Sequence, residues 1–238
     1  MVIKFLGNWS SHIGANHRNS SVIIDDKVVI DFGPHSMESL LERGIDPEKI
    51  DAVLISHMHL DHFMGLPELL WYRGSARTKN PLTVMGPKGI KNTMEQIMKL
   101  VNTPVNGRYE INVQYVEEKK LDFISVYQGN HIIPDNVYRL DYPEASIVYT
   151  GDTAYSQNVV KAAEDVDYLL HEMTYTDADA ETAEFWKHST YSSVMNVMSQ
   201  SHCRYLVPTH LTQASFDLVV EQSKRVEQII APVKDLKV

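Results

Sequence analysis

Three histidines and an aspartate fall within six consecutive positions, His57-Met58-His59-Leu60-Asp61-His62, directly after the apolar run Ala52–Ile55. That run reads as a buried strand, so the cluster opens where a strand gives way to a loop. Loops at strand ends are where a rigid sheet can aim several side chains at one point. Alternation along an extended stretch puts His57 and His59 on the same side. Asp61 and His62 enter the turn and can face a second ion nearby. Imidazole and carboxylate suit zinc or another first-row divalent cation. A solvated loop holding three histidines would read the same, but such density without metal costs packing for no gain. Metal is the better reading.

The rest of the chain must supply the frame that carries this loop. Val2–Leu6 is a short apolar run fit for a strand, and Ser20–Ile24 with Lys27–Asp31 reads as a hairpin turning at Asp25-Asp26. Met37–Arg43 reads as a helix closed by Gly44, and Asp46-Pro47 as a cap followed by proline. Helical patterns are expected at Gly65–Arg73, Lys88–Val101, Asn158–Ala163, Tyr191–Ser201 and about Phe216–Ile229. Strands are expected at Leu82–Met85, Ile111–Val116, Asp122–Gln128, Val137–Tyr142, Ser146–Thr150, Tyr168–His171 and Tyr205–Pro208. Strands fill the first half and alternate with helices later, an order that two sheets covered by helices on their outer faces would satisfy. With no internal repeat or Pro/Gly/Ser linker, one α/β domain over residues 1–238 is the simplest organisation.

Composition narrows the partners. The net charge of −9 argues against a protein that coats nucleic acid nonspecifically. Bound divalent cations would offset that charge locally, so a phosphate substrate is permitted. Cys203 is the only cysteine, which gives no reason to expect an oxidising compartment. With no signal-peptide pattern at the start and no apolar run approaching about 20 residues, a cytoplasmic location is expected.

Longer stretches then carry a family resemblance. Ser56-His57-Met58-His59-Leu60-Asp61-His62-Phe63-Met64-Gly65-Leu66 resembles the signature of the metallo-β-lactamase superfamily, in the form typical of ribonuclease Z, the tRNA 3′-processing endonuclease. Asp31-Phe32-Gly33-Pro34, His131 in Gly-Asn-His-Ile-Ile-Pro, and Thr150-Gly151-Asp152-Thr153 resemble further motifs, in the expected order. So do His171-Glu172-Met173-Thr174, Lys187-His188-Ser189-Thr190 and Pro208-Thr209-His210. The resemblance implies a four-layer αββα sandwich holding two divalent metal ions, zinc first, with manganese or iron suiting the same donors. His57, His59 and His131 would bind one ion; Asp61, His62 and His210 would bind the other, with Asp152 bridging. Two ions about 3.5–4 Å apart can hold a bridging hydroxide as nucleophile. Asp61 would also orient that nucleophile. His188 would contact the scissile phosphate and protonate the leaving oxygen, with Glu172 orienting it. The implied activity is hydrolysis of a phosphodiester, in RNA or a small molecule. An ester, thioester or lactone hydrolase on the same metals is the alternative. A homodimer is a further expectation of the resemblance, and no membrane partner is expected.

The pattern breaks at two places. Ribonuclease Z enzymes that process tRNA usually carry a long arm between their third and fourth motifs, but His131 and Asp152 are only 21 positions apart. Two strands fill that gap, leaving no room for a basic arm to grip a tRNA. The first motif reads Leu6-Gly-Asn-Trp-Ser-Ser, without the usual Gly-x-Gly start. A smaller or differently held phosphodiester is therefore favoured. Arg73, Arg77 and Lys79 form a compact basic group that could hold a distal phosphate or simply be a solvated helix end. His171 reads equally as a supporting or a core residue, and His12 and His17 could line the substrate mouth.

Overall fold

Side chains alternate across each strand, and here the strands have apolar residues on both faces, so every sheet needs cover on two sides. The structure, a computed structural model, describes residues 1–15, 17–101, 111–117 and 123–238. Its strands are β1 (Val2–Gly7), β2 (Ser21–Ile24), β3 (Val28–Ile30), β4 (Ala52–Leu54), β5 (Leu82–Gly86), β6 (Val113–Glu117), β7 (Ile124–Gln128), β8 (Asn136–Asp141), β9 (Ser146–Tyr149), β10 (Tyr168–Glu172), β11 (Tyr205–Thr209) and β12 (Leu236–Lys237). Among the described residues they form one sheet ordered β12-β1-β2-β3-β4-β5-β6 and a second ordered β11-β10-β9-β8-β7. β3 through β6 run parallel, as do β9, β10 and β11, so several strand ends in each sheet point the same way.

The two sheets face one another across a shared core in which Val22, Ile24, Leu54 and Met85 of the first meet Tyr138, Ile147, Leu170 and Val207 of the second. The opposite face of the first sheet, through Ile23, Val53 and Val84, packs on α1 (Ser36–Glu42), α3 (Leu66–Ala76) and α4 (Ile90–Leu100). The outer face of the second, through Val148, Leu169 and Leu206, packs on α5 (Gln157–Ala162), α7 (Tyr191–Ser201) and α8 (Gln213–Gln222). Helix, sheet, sheet, helix is the four-layer sandwich expected from the resemblance.

Local chemistry explains most boundaries. Asp25 and Asp26 both adopt positive φ (49° and 57°), the backbone that the tight turn over Asp25–Lys27 between β2 and β3 uses. Thr190 and Thr212 cap α7 and α8 through reciprocal bonds with Ser193 and Ser215. Tyr142–Ala145 closes the β8–β9 hairpin through the Tyr142 amide and the Ala145 carbonyl, so this hairpin carries no arm. One expectation needs correction, and two elements were not anticipated. The last helix starts earlier and ends at Gln222, because the chain beyond it turns to give the Gln228 carbonyl to the Leu206 amide beside β11. A helix at Ala180–Trp186 (α6) and the edge strand β12 lay outside the sequence reading. Lys119-Lys120, which reads in the sequence as an ordinary solvated pair of charges, lies outside the described residues.

Candidate metal centre

β3 and β4 end side by side, and Asp31 turns the chain there in a left-handed conformation (φ 56°). Its buried carboxylate accepts the Ser56 amide (2.7 Å) through Oδ1. Oδ2 accepts the hydroxyls of Ser56 (2.8 Å) and Tyr149 (2.8 Å) and the Nδ1–H of His62 (2.7 Å). The segment Asp31–Gly33 thus holds both ends of the histidine loop, since the Phe32 amide also bonds the His62 carbonyl. His59 occupies the N-cap of a short helix, α2 (Leu60–Phe63), yet its ring makes no capping bond and turns instead toward His57 and His131.

Hydrogen bonds around the cluster fix which ring nitrogen of each histidine is free. Ser56 spends its hydroxyl hydrogen on Asp31, so its oxygen accepts Nδ1–H of His57 (3.0 Å). The Lys187 carbonyl accepts Nδ1–H of His131 (3.1 Å). Thr174 donates its hydroxyl to Glu172 (2.8 Å), so it accepts Nδ1–H of His210 (2.8 Å). With His62 held by Asp31, four imidazoles are left presenting Nε2. Fixing the remote nitrogen in this way is how metal-binding histidines are oriented.

The free atoms meet in two groups that share Asp152. His57 Nε2 lies 3.0 Å from His59 Nδ1, which lies 3.2 Å from His131 Nε2, and Asp152 Oδ2 is 3.6 Å from His57 Nε2. In the second group, His62 Nε2 is 3.7 Å from Asp61 Oδ2 and 3.3 Å from Asp152 Oδ2, while His210 Nε2 is 3.3 Å from Asp61 Oδ2. Ligands on a tetrahedron around a cation at about 2.0–2.1 Å stand roughly 3.3 Å apart, so these spacings suit coordination. His62 Nε2 and Asp152 Oδ1 are buried with no hydrogen-bond partner. Unpaired donors and acceptors of this kind cost free energy unless an ion takes them up. His/Asp sets able to hold divalent metal are therefore present.

Electrostatics separate the histidines. Burial pushes His57, His59 and His131 down and holds them neutral, with neighbouring imidazoles adding to the effect. Burial also opposes charge on His62, but Asp152 and Asp31 outweigh it and raise that imidazole well above its ordinary value. Asp61 is drawn down to about 2, its burial overcome by the hydrogen bond from His210 and by His62.

Beside the cluster, Glu172 ends β10 fully buried and accepts from five groups. Oε1 takes the amides of Thr153 (3.1 Å) and Ser189 (3.1 Å) and Nδ1–H of His188 (2.8 Å). Oε2 takes the Thr174 amide (3.0 Å) and hydroxyl (2.8 Å). Burial works against the His188 imidazolium, yet Glu172 and Asp152 raise it to about 9. Its ring lies parallel to that of His210 at 5.4 Å and within 5.2 Å of that of His131.

Every residue singled out for metal binding or catalysis is thus in or against one cluster. Several others are not. The fully buried His171 donates Nδ1–H to the Glu172 carbonyl (2.7 Å), away from the free nitrogens. His17 stacks on Trp9 with ring centres 3.5 Å apart, and His12 is exposed. Arg73 is no phosphate clamp: it is buried and spends its guanidinium on the carbonyls of Pro47, Ile50 and Asn80. Sequence reasoning passed over two side chains here. Thr174 links Glu172 to His210, and Asp135 lies fully buried with Oδ1 3.1 Å from His57 Nδ1. An acidic residue at the mouth of the apolar strand β8 was the available signal for Asp135.

Known proteins agree with this geometry. Ribonuclease Z of Geobacillus kaustophilus is 25% identical across 93% of each chain, and that of Staphylococcus carnosus 27% identical across 77% of this chain and 78% of its own. The structure of human tRNase Z, short form (ELAC1), superposes with a TM-score of 0.78 at 23% identity, covering 90% of this chain and 94% of the other. A diphosphatase from the PhnP family superposes at 0.76 and 18% identity, covering 100% and 97%. Fold and relatives together define a metal-dependent hydrolase of the metallo-β-lactamase type, similar to ribonuclease Z. Within that class, the chain belongs to the family of the anti-Pycsar protein Apyc1, whose sequence profile matches residues 1–217.

Proposed function

We propose that the protein is a binuclear zinc phosphodiesterase acting on RNA or, more readily, on a small phosphodiester. His57, His59 and His131 would hold one ion and Asp61, His62 and His210 the other, with Asp152 between them. Bound there, the cations supply Lewis acidity that polarises the phosphoryl oxygens and acidifies the attacking water. The chain's own groups divide the remaining work. Asp61 stays ionised and orients the water. His188 carries a proton at neutral pH and, with Nδ1 held by Glu172, directs Nε2–H at the leaving oxygen. The observation that carries this reading is the Glu172–His188 pair at 2.8 Å beside the His/Asp cluster. That pair supports a role for His188 as a protonated imidazole that a basic leaving oxygen could draw on.

The tight β8–β9 hairpin and the net charge of −9 favour a small diester over precursor tRNA, because phosphate contacts from a basic arm dominate affinity for a long polyanion. A panel of bis-p-nitrophenyl phosphate, precursor tRNA, short RNA, cyclic mononucleotides, cyclic dinucleotides and acyl esters tests the reading on zinc-loaded protein. Turnover of diesters, abolished in Asp61→Ala, is expected. Removal of the tRNA 3′ trailer as the fastest reaction would overturn the preference for a small substrate. Acyl hydrolysis without diester hydrolysis would overturn the class.

A further inference from the structure

We infer that Asp135 is a positioning residue that sets two of the metal-binding side chains at once, His57 through its ring and Asp152 through its backbone. The inference rests on the metal-binding reading above. Asp135 lies between Pro134 and the start of β8, with a side chain of 0% exposure. Its Oδ1 is 3.1 Å from His57 Nδ1 and accepts the Asp152 amide at 3.2 Å. Through this one oxygen Asp135 joins the histidine loop of the first sheet to the backbone of the Asp152 turn of the second. Ser56 Oγ already accepts from His57 Nδ1, and an ionisable oxygen on the other side strengthens the polarity of that N–H and the donor power of Nε2.

The backbone around Asp135 is shaped to admit a carboxylate at this point. A Cβ on Gly129 would lie 2.6 Å from Asp135 Oδ2. One on Gly151, which already has φ +59°, would collide with Asp135 Oδ1 and with Ser56 Cβ. Two glycines therefore wall the carboxylate, and both flank motifs that supply the cluster, His131 and Asp152. The pocket wall is completed by Ser56, whose carbonyl accepts the Asn136 amide at 2.8 Å. Asp135 Oδ2 has no hydrogen-bond partner, so the carboxylate is not there to satisfy its own second oxygen. Its contacts all lead to metal-binding residues. A residue present only for packing would be cheaper as an apolar side chain.

The test is a stepwise cobalt titration of chelator-stripped wild type and Asp135→Asn, followed by visible spectra. Asparagine can keep an oxygen on the Oδ1 side, so shape and the acceptor survive while the carboxyl group is lost. One of the two binding steps should weaken about 10–100-fold, the usual effect of removing a partner behind a metal-binding histidine. The other step should weaken less, since it reaches Asp135 only through Asp152. In the zinc-loaded protein, the His57 Nδ1–H proton resonance should move upfield in the variant. The metal-free variant should melt no lower than the metal-free wild type, which separates positioning from packing. Wild-type affinity at both steps, or equal weakening of both together with a lower metal-free melting temperature, would overturn the inference. Wild type that binds no cobalt or zinc would overturn the metal reading itself, and this inference with it.

Discussion

Replacing His188 by alanine should damage catalysis in a way that depends on the leaving group and spare the fold. The Glu172 carboxylate left behind keeps the amides of Thr153, Ser189 and Thr174 and the Thr174 hydroxyl, so no buried acceptor is stranded. The stability lost is then that of one hydrogen bond to a charged group, about 1.5–3 kcal/mol. A positioned general acid contributes about 10²–10⁴ in rate when the leaving oxygen is basic. A diester with a sugar hydroxyl as leaving group should therefore lose roughly that factor in kcat. Bis-p-nitrophenyl phosphate, whose leaving group departs without a proton, should lose less than about tenfold. Measuring kcat for both substrates on zinc-loaded wild type and His188→Ala, with thermal melts of each, decides the matter. Equal losses on the two substrates would show that His188 acts on binding or on the metals, not on the leaving oxygen.

Metal uptake should release a proton from His62, which Asp152 and Asp31 keep charged in the metal-free protein; zinc affinity measured by competition titration should therefore weaken as pH falls. In metal-free protein, His188 is raised to about 9 against an unfolded value of about 6.5, so its stabilisation is complete below that lower value and lost as pH rises through about 9. Melting temperature should decline across that window, and Glu172→Gln should flatten the decline. Asp31→Ala should destabilise the chain by at least about 3 kcal/mol in denaturant melts, since it leaves the Ser56 amide and the Tyr149 hydroxyl buried without their acceptor.

What the sequence made legible was whatever is written locally. The hairpin at Asp25-Asp26 shows because two residues must accept positive φ, and the histidine loop shows because its donors are adjacent in the chain. The distant members, His131, Asp152 and His210, were reached through motif order, not through their own neighbourhoods. Elements stabilised by partners elsewhere were harder to read. The stretch at Asp177–Glu184 is acidic and lacks apolar spacing, yet α6 begins within it at Ala180 and ends where Lys187 turns in a left-handed conformation to accept from His131. β12 has two residues and exists because β1 offers it an edge. Arg73 looked like a surface cation, and only its three carbonyl partners show it bracing the turn before β4. Asp135 stayed invisible for the opposite reason: one carboxylate next to a proline reads as a turn until its contact with His57 is seen. No helix among the described residues is long and apolar enough to cross a membrane.

Counting bound zinc by elemental analysis, on protein stripped with chelator, reloaded and desalted, is the most direct measurement. Two equivalents per chain are expected for the wild type, and at most one tightly held equivalent for Asp152→Ala, which removes the carboxylate shared by both groups. One equivalent or none in the wild type, or two undiminished in the variant, would contradict a paired site built around Asp152.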